Sequence, residues 1–487
     1  MIPILSIFNF LSMFFSIIFQ FLLVQFFRIH LQTDIYYLSI SIIQFFFNTF
    51  SGFIMDLYIP FYNERKVKSE KEASEFFGSI FLLMFFLSTI LSIFLFSFSH
   101  FIIKLFASGF SKEKIIFTSS ILKILCLHLV LNSLNYVIDA TLQANLYFIF
   151  PFFLKIFPPI FNILSLLFFS NRYGIKPIIF TMVFSSLFNF ILFSIYSFKK
   201  IPIKFINPLS KIKHIKNLVK SSLPVRLSAI LGELTTPITM NVLSFFPSGY
   251  ITLFNWSQRI LDIIFGMTVT PSVNVFYAKV SKYLPEKKID EIKKLLNLTI
   301  RSNIFLFMVP TFILLSIFKK VFALIFYQKV SISQIEIMYH LLLFLAFRAI
   351  IFSFEKPFTL ITFAMKKTLK ILQIAIVFFI LYSLLLVDSI NYLKIYSLPF
   401  SLTFSQIYNT FSYFFYVNRK LKVFNSEMKS DILKFALFLI FLVIFNLIFE
   451  NKFLIKINLN ILIFLSFSLI MKREIFSIYN FLFKKTI

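Results

Sequence analysis

Seven glycines in 487 residues leave almost no material for a glycine-rich phosphate cradle, and no nucleotide-binding glycine motif is present. The single cysteine, Cys126, lies in an apolar run, which excludes a disulfide framework and a cysteine-based zinc site. No nucleophile elbow occurs. Charge is also scarce: Asp, Glu, Lys and Arg make up 14%, against roughly 25% in an ordinary soluble domain. Acidic residues number 20 against 48 basic ones, a formal net charge of +28.

Apolar residues fill the space. They are 59% of the chain, and mean hydropathy is +0.90. A soluble fold cannot hide that much apolar surface. The composition predicts an all-α polytopic membrane protein with about 14 transmembrane helices of about 21 residues each. Phenylalanine, at 77 residues, fits an AT-rich coding bias and marks no stacking site. The first apolar run is longer than a signal-peptide core and reads as the first span.

Spans are predicted near 4–27, 36–60, 77–100, 118–139, 147–170, 177–197, 223–245, 250–275, 302–326, 336–355, 371–388, 395–417, 432–449 and 457–471. Loops 61–76, 198–222, 276–301, 356–370 and 418–431, with the C-terminal tail, hold most of the loop Lys and Arg. The positive-inside rule makes that side cytoplasmic and places both termini there. Residues 472–487 read as an interfacial helix.

A repeat is visible at an offset of 215 residues: Phe61-Tyr62 and Phe276-Tyr277 each precede a mixed-charge run. The turn 141–151 corresponds similarly to 359–369. The domain reading is an N-terminal lobe at 1–215, a C-terminal lobe at 216–430, two additional spans at 431–471 and the tail helix. Two parallel six-span halves are a transporter plan. The outer loops are too short to house an active site, so no enzyme is expected.

Four stretches carry a resemblance: TDIYYLSI at 33–40, YIPFYNE at 58–64, ATLQANLYFIFPFFLKIFPPIFNI at 140–163, and the pair SSLPVRLSAILGEL at 221–234 with SFFPSGYITLFNWSQRILDIIFGMTVTPSVNVFYAKVSKYL at 244–284. Together they resemble the MurJ/MviN-type lipid II flippase family of the multidrug/oligosaccharidyl-lipid/polysaccharide exporter superfamily. The resemblance implies two six-helix lobes in a V plus two C-terminal helices. It implies transport of undecaprenyl-diphosphate-linked peptidoglycan precursor from the inner to the outer leaflet of a bacterial cytoplasmic membrane, in cell wall biogenesis and cell shape. It implies a monomer whose partners are the lipid-linked glycan and membrane lipids, with no nucleic acid. No cofactor is expected beyond a coupling cation of unidentified type. The alternatives are a flippase for another lipid-linked oligosaccharide and a cation-coupled small-molecule exporter of the same superfamily.

One departure stands out. The family carries arginines in spans one and two, whereas this chain has Gln20 in span one and Phe46, Phe47 and Asn48 in span two.

Charges inside a bilayer cost at least about 2.5–3.5 kcal/mol each, so those that persist are candidate substrate-binding residues. Arg259 in span eight leads, because its planar fork of donors suits phosphate oxygens. Asp262, at i+3, is its candidate ion-pair partner. Glu233 in span seven is a candidate partner of Arg259 or ligand of a coupling cation. Arg348 in span ten is a candidate replacement for the missing cationic charge. Arg28 and Asp34 flank the outer end of span one as candidate gate residues or solvated loop charges. Lys155, near span five, is a candidate cavity residue. His128 reads as a satisfied core histidine rather than a proton relay.

Overall fold

The computed structural model describes residues 2–55, 58–201, 212–284 and 286–423. The predicted spans at 432–449 and 457–471 and the tail helix at 472–487 lie outside the described residues. Within them the chain is helical throughout: α1 (Ile2–Phe27), α2 (Leu31–Met55), α3 (Tyr58–Lys68), α4 (Glu70–Ser97), α5 (Ser99–Phe106), α6 (Lys112–Ala144), α7 (Ile149–Leu154), α8 (Phe157–Tyr173), α9 (Lys176–Lys200), α10 (Ile212–Glu233), α11 (Thr235–Ser244), α12 (Tyr250–Tyr283), α13 (Ile289–Ile325), α14 (Ile332–Ala364), α15 (Thr368–Leu393) and α16 (Ser397–Leu421). Each of the first twelve predicted spans falls on one of these helices or on a broken pair of them.

Among the described residues, nine helical stretches are long and apolar enough to cross a membrane, the last of them joining α15 and α16. Helix α2 and the broken pair α10/α11 do not meet that measure. They carry Asp34, Asn48, Arg226 and Glu233.

Local chemistry sets the helix ends. Ser69 caps α4 by accepting the Glu72 N–H at 3.1 Å. Ser331 and Gln334 form a reciprocal capping box on α14, both bonds being 3.2 Å. Gly174, at φ 65°, ends α8 in the left-handed region. The cytoplasmic loops expected at 276–301 and 356–370 shrink to a few residues. Their mixed-charge runs continue α12, α13 and α14 as helix.

Proline explains two breaks. Pro237 has no N–H to give the Glu233 carbonyl, and the seventh span breaks at Leu234 into α10 and α11. Pro159 likewise deprives the Lys155 carbonyl of its partner, where α7 gives way to α8. The Ser12 hydroxyl from α1 supplies the missing donor at 2.9 Å.

With glycine so rare, serine fills the close crossings between helices. Ser92 donates to the Cys126 carbonyl at 2.6 Å, and Ser99 lies 2.7 Å from Ser119. Phe86, Ile90, Phe168, Val387 and Phe415 project outward as an apolar coat.

By internal contacts the chain divides into two compact units, Met1–Thr252 and Leu253–Ile487. In the first, α6 packs on α4 and α9, and α8 on α9. In the second, α14 packs on α13 and α16, and α15 on α16. The repeat is therefore one of helix pairings as well as of sequence. Helices α6 and α14 are both 33 residues long and begin at Lys112 and Ile332, 220 positions apart. Helices α9 and α16 are both 25 residues long and begin at Lys176 and Ser397, 221 apart. The structural offset thus exceeds the 215 read from the Phe-Tyr pairs. Helices α10 and α11 belong by contact to the first unit, α10 lying on α2 and α11 on α2 and α5.

Candidate substrate site

The stretches that carried the resemblance meet in pairs. Tyr58 and Tyr62 of α3 face the end of α6: the Tyr58 hydroxyl lies 2.6 Å from that of Thr141, and Asn145 donates to the Tyr62 hydroxyl at 3.0 Å. Lys66 completes the contact by donating to Asn145 Oδ1 at 2.6 Å. Burial raises the Tyr62 phenol above its ordinary pKa and keeps it neutral. Nearby, Arg65 sits 4.1 Å from the Phe76 ring centroid and donates to the Phe61 carbonyl at 2.7 Å. Desolvation there lowers its pKa from the ordinary arginine value, against the opposing pull of Glu64 and Glu72.

The second pairing joins the start of α2 to the start of α12. Asp34, 2% exposed, takes the Gly249 N–H on Oδ2. Its Oδ1 takes the Thr252 N–H at 2.8 Å and the Thr252 hydroxyl at 2.6 Å. The Thr33 and Thr252 hydroxyls are 2.9 Å apart. Asp34 is thus a buried helix cap supplied from a distant part of the chain, where the sequence suggested a gate residue or a solvated loop charge. Arg28 remains exposed, at φ 58°, in the link between α1 and α2.

Where the resemblance calls for arginines, other groups stand. Gln20 accepts the Tyr37 hydroxyl. Asn48 donates to Glu233 at 3.0 Å. Gly52 faces the guanidinium of Arg226: a Cβ at Gly52 would lie 1.8 Å from Arg226 Cζ. Arg226 is 6% exposed, and it lies seven residues before Glu233 on one face of α10. A cationic group thus reaches α2 from α10, within the first unit. Sequence reading passed over Arg226 because it follows the start of the predicted span so closely. Its spacing from Glu233 was the available signal.

Lys155 is exposed at the α7–α8 break, its ammonium 4.4 Å from the Phe152 ring centroid. His128 contacts the Ser186 hydroxyl at 2.7 Å and the Met182 carbonyl at 3.2 Å through Nδ1, as a satisfied core histidine should.

The second unit holds the remaining candidates. Asp262 of α12 lies within Coulomb range of Arg259, one turn away, and of Arg348 on α14. The expected Arg259–Asp262 ion pair is not closed: Arg259 is exposed and makes no hydrogen bond or ion pair to a described residue. Its fork of donors is available. Arg348 is half-buried, and its Nε is buried without a hydrogen-bond partner among the described residues. Asp262, Tyr382 and Glu355 are its electrostatic neighbours. Glu355, two turns along α14, is 2% exposed. It escaped the sequence reading because Glu-Lys-Pro resembles a helix end, whereas α14 runs through Pro357 to Ala364. Among the described residues, no three His, Cys, Asp or Glu side chains are grouped to hold a metal ion.

The comparisons with known proteins now bear on this arrangement. The profile of the lipid II flippase MurJ family matches residues 23–467. The chain belongs to the MurJ lipid II flippase family. A solved structure described as lipid II flippase MurJ in an inward closed conformation superposes with a TM-score of 0.80 at 22% identity, covering 97% of this chain and 99% of that one. An inward-facing multidrug resistance MATE family transporter of the MOP superfamily gives 0.66 at 11% identity, covering 86% of this chain and 96% of its own. The MATE multidrug transporter DinF-BH gives 0.66 at 15% identity, covering 87% of this chain and 95% of its own. At these identities the structural likeness establishes the fold. No curated protein sequence matches. Family membership and the apolar helices together make the chain a multi-pass transmembrane transport protein of peptidoglycan biosynthesis in the bacterial inner membrane.

Proposed function

We propose that this chain carries lipid II, the undecaprenyl-diphosphate-linked peptidoglycan precursor, from the inner to the outer leaflet by alternating access. The observation that carries the reading is family membership over residues 23–467, which spans the Asp34 cap, the Tyr62–Asn145 pairing and Arg259. In this reading Arg259 meets the diphosphate oxygens, because its guanidinium is exposed and makes no hydrogen bond or ion pair to a described residue. Asp262 and Arg348 hold the electrostatic surroundings of Arg259. Arg28, Asp34, Glu233 and Lys155 are positioning or structural residues rather than diphosphate ligands. The polyprenyl tail stays in lipid while the head crosses.

Direction follows from charge. An inside-negative potential drives an anionic head outward with about 2.3 kcal/mol per charge per 100 mV. The protein works as a monomer and performs no bond-breaking chemistry.

The test is genetic. This chain is expressed in a bacterium whose own lipid II flippase is placed under shut-off control. Growth after shut-off supports the proposal. Membrane-inserted protein without growth moves the substrate to another lipid-linked glycan.

A further inference from the structure

The ends of α2, α6, α8 and α9 that lie away from loops 61–76 and 198–222 border a cavity of about 480 Å³ in the first unit. Its walls are Phe117 of α6, Phe169 and Tyr173 of α8 and Phe180 of α9, and Gln32 and Lys176 supply polar groups. Gly174 turns the chain from α8 into α9 at φ 65°, and a Cβ there would lie 3.6 Å from Gln32 Oε1. That tight turn brings the ends of the two helices together at the cavity.

Charge at the opening is of one sign. The Lys176 ammonium lies 5.7 Å from the Phe117 ring centroid, and the guanidinium carbon of Arg172 lies 5.4 Å from that of Tyr173. Both cations are exposed, and neither makes a hydrogen bond or ion pair to a described residue. Among the described residues no acidic side chain lines the cavity. Glu113, one turn before Phe117, stands in sequence between Lys112 and Lys114, and Asp34 is turned to Gly249 and Thr252. The positive-inside rule makes this the outer side, where Lys and Arg are the scarcer residues, so a cationic opening here calls for an anion.

Below the opening the surface is apolar. Phe180, Phe184, Leu187 and Ile191 are all exposed and follow one another at helical spacing, a stripe running along α9 from the cavity. A ligand that satisfies both parts is an amphiphile with an anionic head. A zwitterionic head would bring its ammonium to two cations with no carboxylate to receive it.

We propose that this cavity binds an anionic glycerophospholipid, its phosphate held by Lys176 and Arg172 and one acyl chain lying along the α9 stripe. Gln32 donates to the head from the start of α2. The site does not rest on lipid II being the substrate.

The test is binding of radiolabelled phosphatidylglycerol to the purified full-length protein in detergent. Saturable binding is expected, displaced by unlabelled phosphatidylglycerol and not by phosphatidylethanolamine with the same chains. Lys176→Ala and Arg172→Ala should each weaken it about fivefold, and the double variant more than about tenfold. Lys176→Arg, which keeps the charge, should bind as wild type does, as should Lys329→Ala, which removes an exposed lysine of the second unit. Unchanged binding in the double variant, equal loss in Lys329→Ala, or equal displacement by phosphatidylethanolamine overturns the proposal. Displacement by undecaprenyl diphosphate at lower concentration than phosphatidylglycerol also overturns it, and gives the cavity to the polyprenyl carrier.

Discussion

Asp34 accepts both the backbone N–H and the hydroxyl of Thr252, 218 residues along the chain, and ties the start of α2 to the first turn of α12. A buried carboxylate held by three donors is a structural cap. Asp34→Ala should therefore lower stability by about 2 kcal/mol, since it strands the Gly249 and Thr252 amides. Thr252→Val, which keeps the amide, should cost about half as much. Thermal unfolding of the detergent-solubilised protein measures both. Equal melting temperatures for wild type and Asp34→Ala would remove the cap from the account.

Gly249 makes that cap reachable. It sits at φ 105°, and a Cβ there would lie 2.8 Å from the Ile29 carbonyl oxygen. Gly249→Ala should destabilise by about 1–3 kcal/mol through backbone strain and this contact. Combined with Asp34→Ala, the loss should be less than additive, because both changes break one junction. A double-mutant cycle on melting temperature reads the coupling.

Gly52 and Arg226 form a second interlock. Gly52→Ala must push the guanidinium out of its place on α2. The expected result is a folded protein with impaired flipping. In the Arg226→Ala background the same substitution should cost little, because the space is then vacant. Growth of the complemented strain carrying each single and double variant tests this. Additive defects would show that the two residues act separately.

Arg259 and Arg348 should separate function from stability. Arg348, half-buried and within Coulomb range of Asp262, offsets that carboxylate's charge, so Arg348→Met should lower the melting temperature clearly. Arg259 is exposed and makes no hydrogen bond or ion pair to a described residue, so Arg259→Met should leave melting within about 0.5 kcal/mol of wild type while abolishing complementation. A large stability loss for Arg259→Met would make it structural.

The helices were legible in the sequence because apolar runs of span length leave few alternatives, and each of the first twelve predicted spans meets helix. Charge placement was less legible. Asp34 looked like a loop charge because its partners, Gly249 and Thr252, are more than 200 positions away. Glu355 looked like a helix end because Pro357 follows it, although a helix supported by neighbours tolerates proline. Arg226 lay just inside a predicted boundary. The resemblance marked the stretches that matter, but only the fold shows that 33–40 meets 249–252 and that 58–66 meets 141–145.

The most direct test of the central claim quantifies lipid II on the outer face of cells that depend on this chain, using a membrane-impermeant reagent added from outside. Wild type should restore outer-face lipid II after the resident flippase is shut off, and Arg259→Met, at equal membrane abundance, should not. Restoration by Arg259→Met to the wild-type level would contradict the account, as would inner-leaflet accumulation in cells making abundant wild-type protein.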